Sequence, residues 1–372
     1  MPRNTPLEQR RHPPWNGQLT WFSGGLLAVA QAPPDNLSMF DPVSPPAESI
    51  LNLTYLLLGI TGAIFLVVEG MLVWCIYRYR QKPGTETEPP QNYGSKPVEL
   101  AWTVTPALIV FVLFLIVFRT IADTRRDPHQ APPPGSKPLH VTVIGHQWWW
   151  EYVYEKYDGT EIRSEDVKDG KPVSQRYMKT ANELHVPASA DGTPRPVYLH
   201  LQSVDVIHSF WVPRLAGKTD VIPNRINHMW FQSAIPGLYL GQCAEYCGTQ
   251  HAGMLLRVYV DPVDEFETWL ANERKPAVED PAAAAGKKVL ESEACMNCHT
   301  VRGTAAQGGF GPDLTHLMSR ETIASGLEPN NKEMLRVWVK DPQQIKPGCR
   351  MPAMNLTDAE IDQVVAYLLT LK

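Results

Sequence analysis

The chain has 372 residues, more than one compact domain needs, with 20% charged residues and a formal net charge of -5. The near-balance of charge and the lack of a Lys/Arg block exclude a nucleic-acid binder. The 34 prolines cluster between blocks as linkers do, and four of the six cysteines form two tight pairs, each followed by a His, a pattern of metal or haem sites before disulfides.

Residues 1–32 carry Arg3, Arg10 and Arg11, then a short apolar stretch, Leu19–Ala30, and small residues at Ala28, Ala30 and Ala32. This resembles a signal peptide, although Ser23-Gly24-Gly25 breaks its apolar core. Ile50–Tyr77 is a long apolar run interrupted by Glu69 alone, and Leu100–Phe118 is a second without a charge. Each is long enough to cross a hydrocarbon layer of roughly 30 Å as a helix. The expected element is a two-helix transmembrane hairpin over 50–121, with helices near 50–77 and 100–121. Arg78, Arg80, Lys82 and Lys96 in the connecting loop favour a cytoplasmic loop, with Arg119, Arg125 and Arg126 pulling the other way. An acid inside a span tends to be functional or paired, and Glu69 has no specific role assigned.

Asp127–Pro138 is a proline-rich connector. From 139 to 262 short β-rich runs follow, at His140–Ile144, Trp148–Tyr154, Val197–Gln202, Met229–Ser233 and Met254–Val260, the texture of a sandwich or barrel. Residues 155–180 are charged and irregular, an excursion between strands. A linker is expected over 263–281, with Glu273–Ala285 as a partly flexible spacer, and a helical domain over 282–372. Its last helix is announced by Thr357-Asp-Ala-Glu360 with capping-box spacing and by Ile361, Val364, Val365 and Leu368 on one face.

The densest cluster is CAEYCGTQHAGM (243–254), which sets Cys243, Cys247, His251 and Met254 within twelve residues. His208, in IHSFWVP, is a candidate second imidazole from an earlier loop. Thiolates, imidazole and a thioether form a copper electron-transfer set. Two thiolates four apart can bridge two copper ions with one His on each, and Met254 and the Glu245 carbonyl would be weak axial ligands. A structural zinc site would explain the two Cys and two His but not the Met.

The hairpin, the GHQWWW segment (145–150), the IHSFWVP loop and the CAEYCGTQHAGM loop together resemble cytochrome c oxidase subunit II over roughly residues 50–262. The resemblance implies a cupredoxin-like β-barrel behind a two-helix anchor, with binuclear copper (CuA) held by His208, Cys243, Glu245 through its carbonyl, Cys247, His251 and Met254. It also implies a surface role in receiving electrons for Trp148, a magnesium ion shared with subunit I at the Glu245 side chain, and a proton-path carboxylate at Glu99. Against these stand packing for Trp148 and a solvated helix-start acid for Glu99. Quinol-oxidising relatives lack the copper ligands.

Cys295-Met-Asn-Cys298-His299 is the CxxCH signature of covalent haem c, with His299 as an axial ligand. With GPDLTH (311–316) and KPGCRMPAM (346–354) downstream, 282–372 resembles an all-α class I cytochrome c domain. A Met sixth ligand raises the haem potential. The Met-Pro pattern favours Met351, and Met354 competes. His316 and Met318 read as packing or surface residues, and Cys349 has no assigned role.

The expected protein is multidomain: an oxidase subunit II that takes electrons on haem c, passes them to CuA and on to subunit I, where dioxygen is reduced to water with proton translocation. Subunit III, a soluble cytochrome c or other small donor, and the bilayer are the remaining expected partners. Haem attachment places both soluble domains on the periplasmic side of a bacterial cytoplasmic membrane. The alternatives are a CuA subunit of a nitric oxide reductase and a membrane-anchored copper–haem shuttle.

Overall fold

The computed structural model describes residues 37–81, 83–84, 88, 91, 93–125, 132–168, 171–173 and 176–372. The signal-like segment 1–32 and residues Lys82, Arg126 and 127–131 of the first connector lie outside the described residues.

Helix α1 (Pro45–Tyr79) and helix α2 (Lys96–Thr124) form the apolar hairpin. Both extend beyond the expected apolar runs. The additional first turn of α1 is amphipathic in use: Pro46 and Ala47 are buried, and the chain entering it is tied to the next domain. Val43 N donates to Arg214 O at 2.9 Å, Gln232 N to Ser44 Oγ at 3.2 Å, and Arg214 pairs with Asp41 at 2.6 Å. The apolar windows of both helices are unburied, as spans facing lipid or another membrane protein would be.

The barrel domain contains β1 (Leu139–His146), β2 (Trp149–Tyr157), β3 (Thr160–Glu161), β4 (Asp166–Lys168), β5 (Lys171–Val173), β6 (Met178–Ala181), β7 (Glu183–Pro187), β8 (Val197–Ser203), β9 (His208–Trp211), β10 (Thr219–Val221), β11 (Asn227–Phe231), β12 (Gly237–Cys243) and β13 (Leu255–Asp261). Two sheets form, in the orders β11-β8-β1-β2-β3 (β6 also pairing β2) and β10-β9-β12-β13-β7. The inward residues alternate as a half-buried strand requires. In β1, Leu139, Val141 and Val143 are fully buried, and they face Trp150, Tyr152, Phe210 and Leu256 in the core. The 155–180 excursion keeps β structure: β2 runs to Tyr157, β4 and β5 pair as a hairpin, and β6 rejoins the sheet.

The expected linker 263–281 needs correction. Helix α3 (Val263–Glu273) occupies its first half, because Phe266, Trp269 and Leu270 recur at i, i+3 and i+4 and pack on the barrel core. The rest of the connector is pinned rather than slack. Arg302 donates to the carbonyls of Glu273 (2.5 Å) and Arg274 (2.9 Å), and Ala277 N donates to Arg302 O at 3.0 Å.

The last domain holds α4 (Ala284–Ser292), the single turn α5 (Cys295–Cys298), the short pair β14 (Thr322–Ile323) and β15 (Glu328–Pro329), α6 (Lys332–Lys340) and α7 (Asp358–Leu368). The Thr357–Glu360 capping box forms in both directions, and Ile361, Val364, Val365 and Leu368 are all buried. Gly286 of α4 meets α7 closely: a Cβ there would lie 1.9 Å from Gln363 O. The helices cross where only a glycine fits.

Candidate functional site

Strands β9 and β12 pair antiparallel, with Cys243 opposite Phe210. This register places His208, at the start of β9, beside Cys243, at the end of β12. The loop 244–254 then turns back so that Met254 O accepts from Cys243 N at 3.0 Å and His251 N donates to Gly248 O at 3.0 Å. Six donors converge. Cys243 Sγ and Cys247 Sγ are 3.8 Å apart, His208 Nδ1 is 4.0 Å from Cys243 Sγ, and His251 Nδ1 is 3.7 Å from Cys247 Sγ. Met254 Sδ is 3.9 Å from Cys247 Sγ, and Glu245 O is 3.2 Å from Cys243 Sγ. His208, Cys243, Cys247 and Met254 are buried.

A disulfide needs about 2.05 Å between sulfurs, so 3.8 Å with an imidazole on each side suits two sulfurs sharing metal ions. The two sulfurs lie close enough for a thiol of one to hydrogen-bond the other. The hydrogen bond from Cys247 holds Cys243 well below the ordinary thiol value, and its counterpart pushes Cys247 up. A cation at this position would replace that proton. The donor set is soft and matches copper.

The ligands are oriented from behind. His208 Nε2 donates to Asp205 Oδ1 at 2.9 Å, which turns Nδ1 toward the sulfur. Burial pushes the His208 ring down, but Asp205 and Cys243 together outweigh it and the net shift is upward. Asp205 also accepts from Gln147 N at 2.7 Å. Gln147 Nε2 and Trp148 Nε1 both donate to Cys247 O, at 2.8 and 3.0 Å. Asp205 and Gln147 lay inside segments legible in the sequence, but their role depends on loops 58 residues apart meeting, which no spacing reveals.

A cavity of about 520 Å³ opens beside this cluster, lined by Cys295, Cys298, His299, Met351 and Met354 and by apolar side chains such as Leu314 and Val364. This volume lies within the roughly 300–1,000 Å³ of cofactor pockets. His299 Nδ1 lies 2.8 Å from Pro312 O, so it carries the proton and leaves Nε2 as the free ligand nitrogen. Burial pushes the ring down and keeps it neutral. Gly311 lets the chain pass this close, since a Cβ would sit 2.6 Å from the His299 ring. The residues fit haem c. Met351 and Met354 both reach the cavity. His316 is buried with its two nitrogens on the carbonyls of Lys372 and Lys275, a packing role. Cys349 takes a hydrogen bond from Gln343 Nε2 at 3.3 Å.

The same cavity is walled on its other side by Gln147, Trp148, Asn182 and Asp205 of the barrel. Trp148 thus borders both cofactor positions. Glu99 sits apart, exposed in the first turn of α2, and the Glu245 side chain is exposed.

The profile for cytochrome c oxidase subunit II, periplasmic domain, matches residues 139–260, and the transmembrane-domain profile of the same subunit matches 32–120. A cytochrome c profile matches 283–372. Cytochrome c oxidase subunit 2 of Alkalihalophilus pseudofirmus is 33% identical over 95% of this chain and 95% of its own length. That of Bacillus sp. strain PS3 is 32% identical over 90% and 92%. A crystal structure of the periplasmic domain of subunit II of cytochrome oxidase from Bradyrhizobium japonicum is 31% identical over 36% of this chain and 92% of that chain, with a TM-score of 0.27.

Proposed function

Because this chain belongs to the cytochrome c oxidase subunit II family, we propose a specific route through it: an electron enters at the CxxCH domain, crosses at Trp148 and leaves through the CAEYCGTQHAGM loop toward subunit I. The chain is an oxidase subunit II with a fused cytochrome c domain, membrane-bound through its hairpin, with periplasmic soluble domains. When bound, CuA and haem c supply one-electron reduction and reoxidation.

His208, Cys243, Cys247, His251 and Met254, with the Glu245 carbonyl, would hold the copper pair. Cys295 and Cys298 would bond the haem, with His299 and Met351 as the residues that would hold its iron. The observation that carries the reading is the pair of sulfurs 3.8 Å apart, flanked by an imidazole on each side and buried from water. The loop's Cys243, Cys247 and Met254 are buried beside His208, which limits how far the site can rearrange when charge changes. Asp205 fixes the His208 tautomer, and Trp148 keeps an aromatic ring between the cavity and Cys247. The fused domain moves the donor's docking place to the haem side, so Trp148 becomes an internal bridge.

Glu99 as a proton-path acid, Glu245 as a magnesium contact, subunit III, a small soluble donor such as cytochrome c, and the bacterial cytoplasmic membrane complete the proposal. The full-length relatives carry oxidase names, which favours the oxidase over a nitric oxide reductase and over a free-standing shuttle. Metal analysis and electron paramagnetic resonance of the purified full chain test the site. The expected result is two coppers per haem iron with a seven-line mixed-valence spectrum. One copper with four lines, or zinc, would sink the binuclear assignment.

A further inference from the structure

Lys346 belongs to the cytochrome domain, in the turn after α6, yet it is 2% exposed and its ammonium reaches into the barrel. Nζ donates to Trp148 O at 2.7 Å, to Gly253 O at 2.8 Å and to Ala324 O at 3.1 Å. A lysine has three donors, and all three are used. Two of the acceptors are the backbones of the bridging tryptophan and of the residue before Met254. The third is the cytochrome domain's own turn.

A second buried side chain crosses the same boundary in the opposite direction. Glu183, at the start of β7, is 1% exposed and accepts from Glu321 N (3.0 Å), Thr322 N (2.9 Å) and Thr322 Oγ1 (2.6 Å). Each domain therefore places one buried polar side chain on the backbone of the other. Around them, Arg257 and Tyr259 meet Glu321, and Gln250 Nε2 donates to Pro347 O at 2.6 Å. Such bonds are short-ranged and directional. They fix a pose, which a connector alone does not, since a connector only raises local concentration.

We propose that Lys346 is a positioning residue for electron transfer within the chain: it locks Trp148 and the copper loop in one fixed relation to the haem cavity. The inference rests on the intrachain route proposed above. The step it serves moves one electron from reduced haem to the oxidised copper pair, and Lys346 itself exchanges neither electron nor proton. Burial pushes the Lys346 ammonium down to about 7, and the three carbonyl dipoles aimed at it work the other way, toward the charged form.

The test uses the assembled oxidase carrying the full chain, as wild type, Lys346→Met and Glu183→Gln. Methionine fills the space and donates nothing. One readout is amide hydrogen exchange over residues 321–325 and 251–255. The other is the rate of haem reoxidation after flash reduction by a photoexcited ruthenium complex, with haem and copper spectra recorded alongside. In K346M the expected result is exchange faster by about tenfold in both segments and haem reoxidation slower by about tenfold, with both cofactor spectra unchanged. Unchanged exchange, or faster exchange with an unchanged rate, overturns the positioning role. If K346M does not assemble, E183Q decides by the same two readouts, because it weakens the same boundary from the other side. Slow haem reoxidation in the wild type would instead refute the intrachain route, and hydrogen exchange would still judge the clamp.

Discussion

Cys243 closes a strand and Cys247 sits in the turn beyond it, so their four-residue spacing brings two sulfurs to one point while His208 arrives from the neighbouring strand. Replacing Cys247 by serine leaves a harder oxygen at a soft site. The expected outcome is loss of the seven-line copper signal with the haem c absorption retained, read by paramagnetic resonance and visible spectra on the same sample. Glu151 supports the aromatic turn from behind, binding His146 at 3.0 Å and Lys179 at 2.5 Å. Burial pushes its carboxyl up, but His146 and Lys179 outweigh that and hold it below the ordinary glutamate value. A lowered folded-state value contributes stability that is present above the unfolded value and lost as pH falls through the folded one. Thermal midpoints of the full chain should therefore drop more steeply in wild type than in Glu151→Gln as pH falls from about 5 toward 3. At this scale the sequence was most legible for the copper loop, since ligand chemistry is written in residue types. Lys346 was not legible: a lysine in a Lys-Pro-Gly turn reads as solvated, and only the meeting of two domains buries it.

The helices of the cytochrome domain show a similar contrast between local and distant information. The α7 cap and its buried face depend on residues three and four apart, and both were readable. Losing the cap through Thr357→Ala should cost about 1 kcal/mol. Gly286, in contrast, is demanded by a helix 77 residues downstream. Gly286→Val should force α4 and α7 apart and cost about 3 kcal/mol, visible as a lower melting temperature and weaker haem retention. Helix α3 falls within the stretch expected to be a linker, although Phe266, Trp269 and Leu270 carry the helical period there. Strand β9 carries little strand signal in the sequence, since only four residues make it and Val212-Pro213 ends it at once.

For the molecule as a whole, the boundary between barrel and cytochrome domain is where sequence reasoning stopped. Composition and periodicity describe each domain's own core, whereas Glu183 meets Glu321 across 138 residues of chain and Lys346 meets Trp148 across 198. A buried boundary is little screened by salt, while a docking site for a separate donor is exposed. Intrachain transfer should therefore keep its rate from low to high ionic strength, while reduction by an added soluble cytochrome c changes; stopped-flow mixing and flash reduction on one preparation separate the two.

The stitching of residues 41–47 to the barrel has a mechanical meaning. A helix of 35 residues is about 52 Å long, against roughly 30 Å of hydrocarbon. Part of α1 thus stands above the lipid as a stiff post, and Arg214, Gln232 and the buried Pro46 and Ala47 fasten the barrel to its top. The metal loop is then carried at a set height over the bilayer, like a lamp on a mast. Inserting a single residue between Ser44 and Ile50 would rotate that lamp by about 100°, turning its face away from the neighbouring subunit without touching a single ligand.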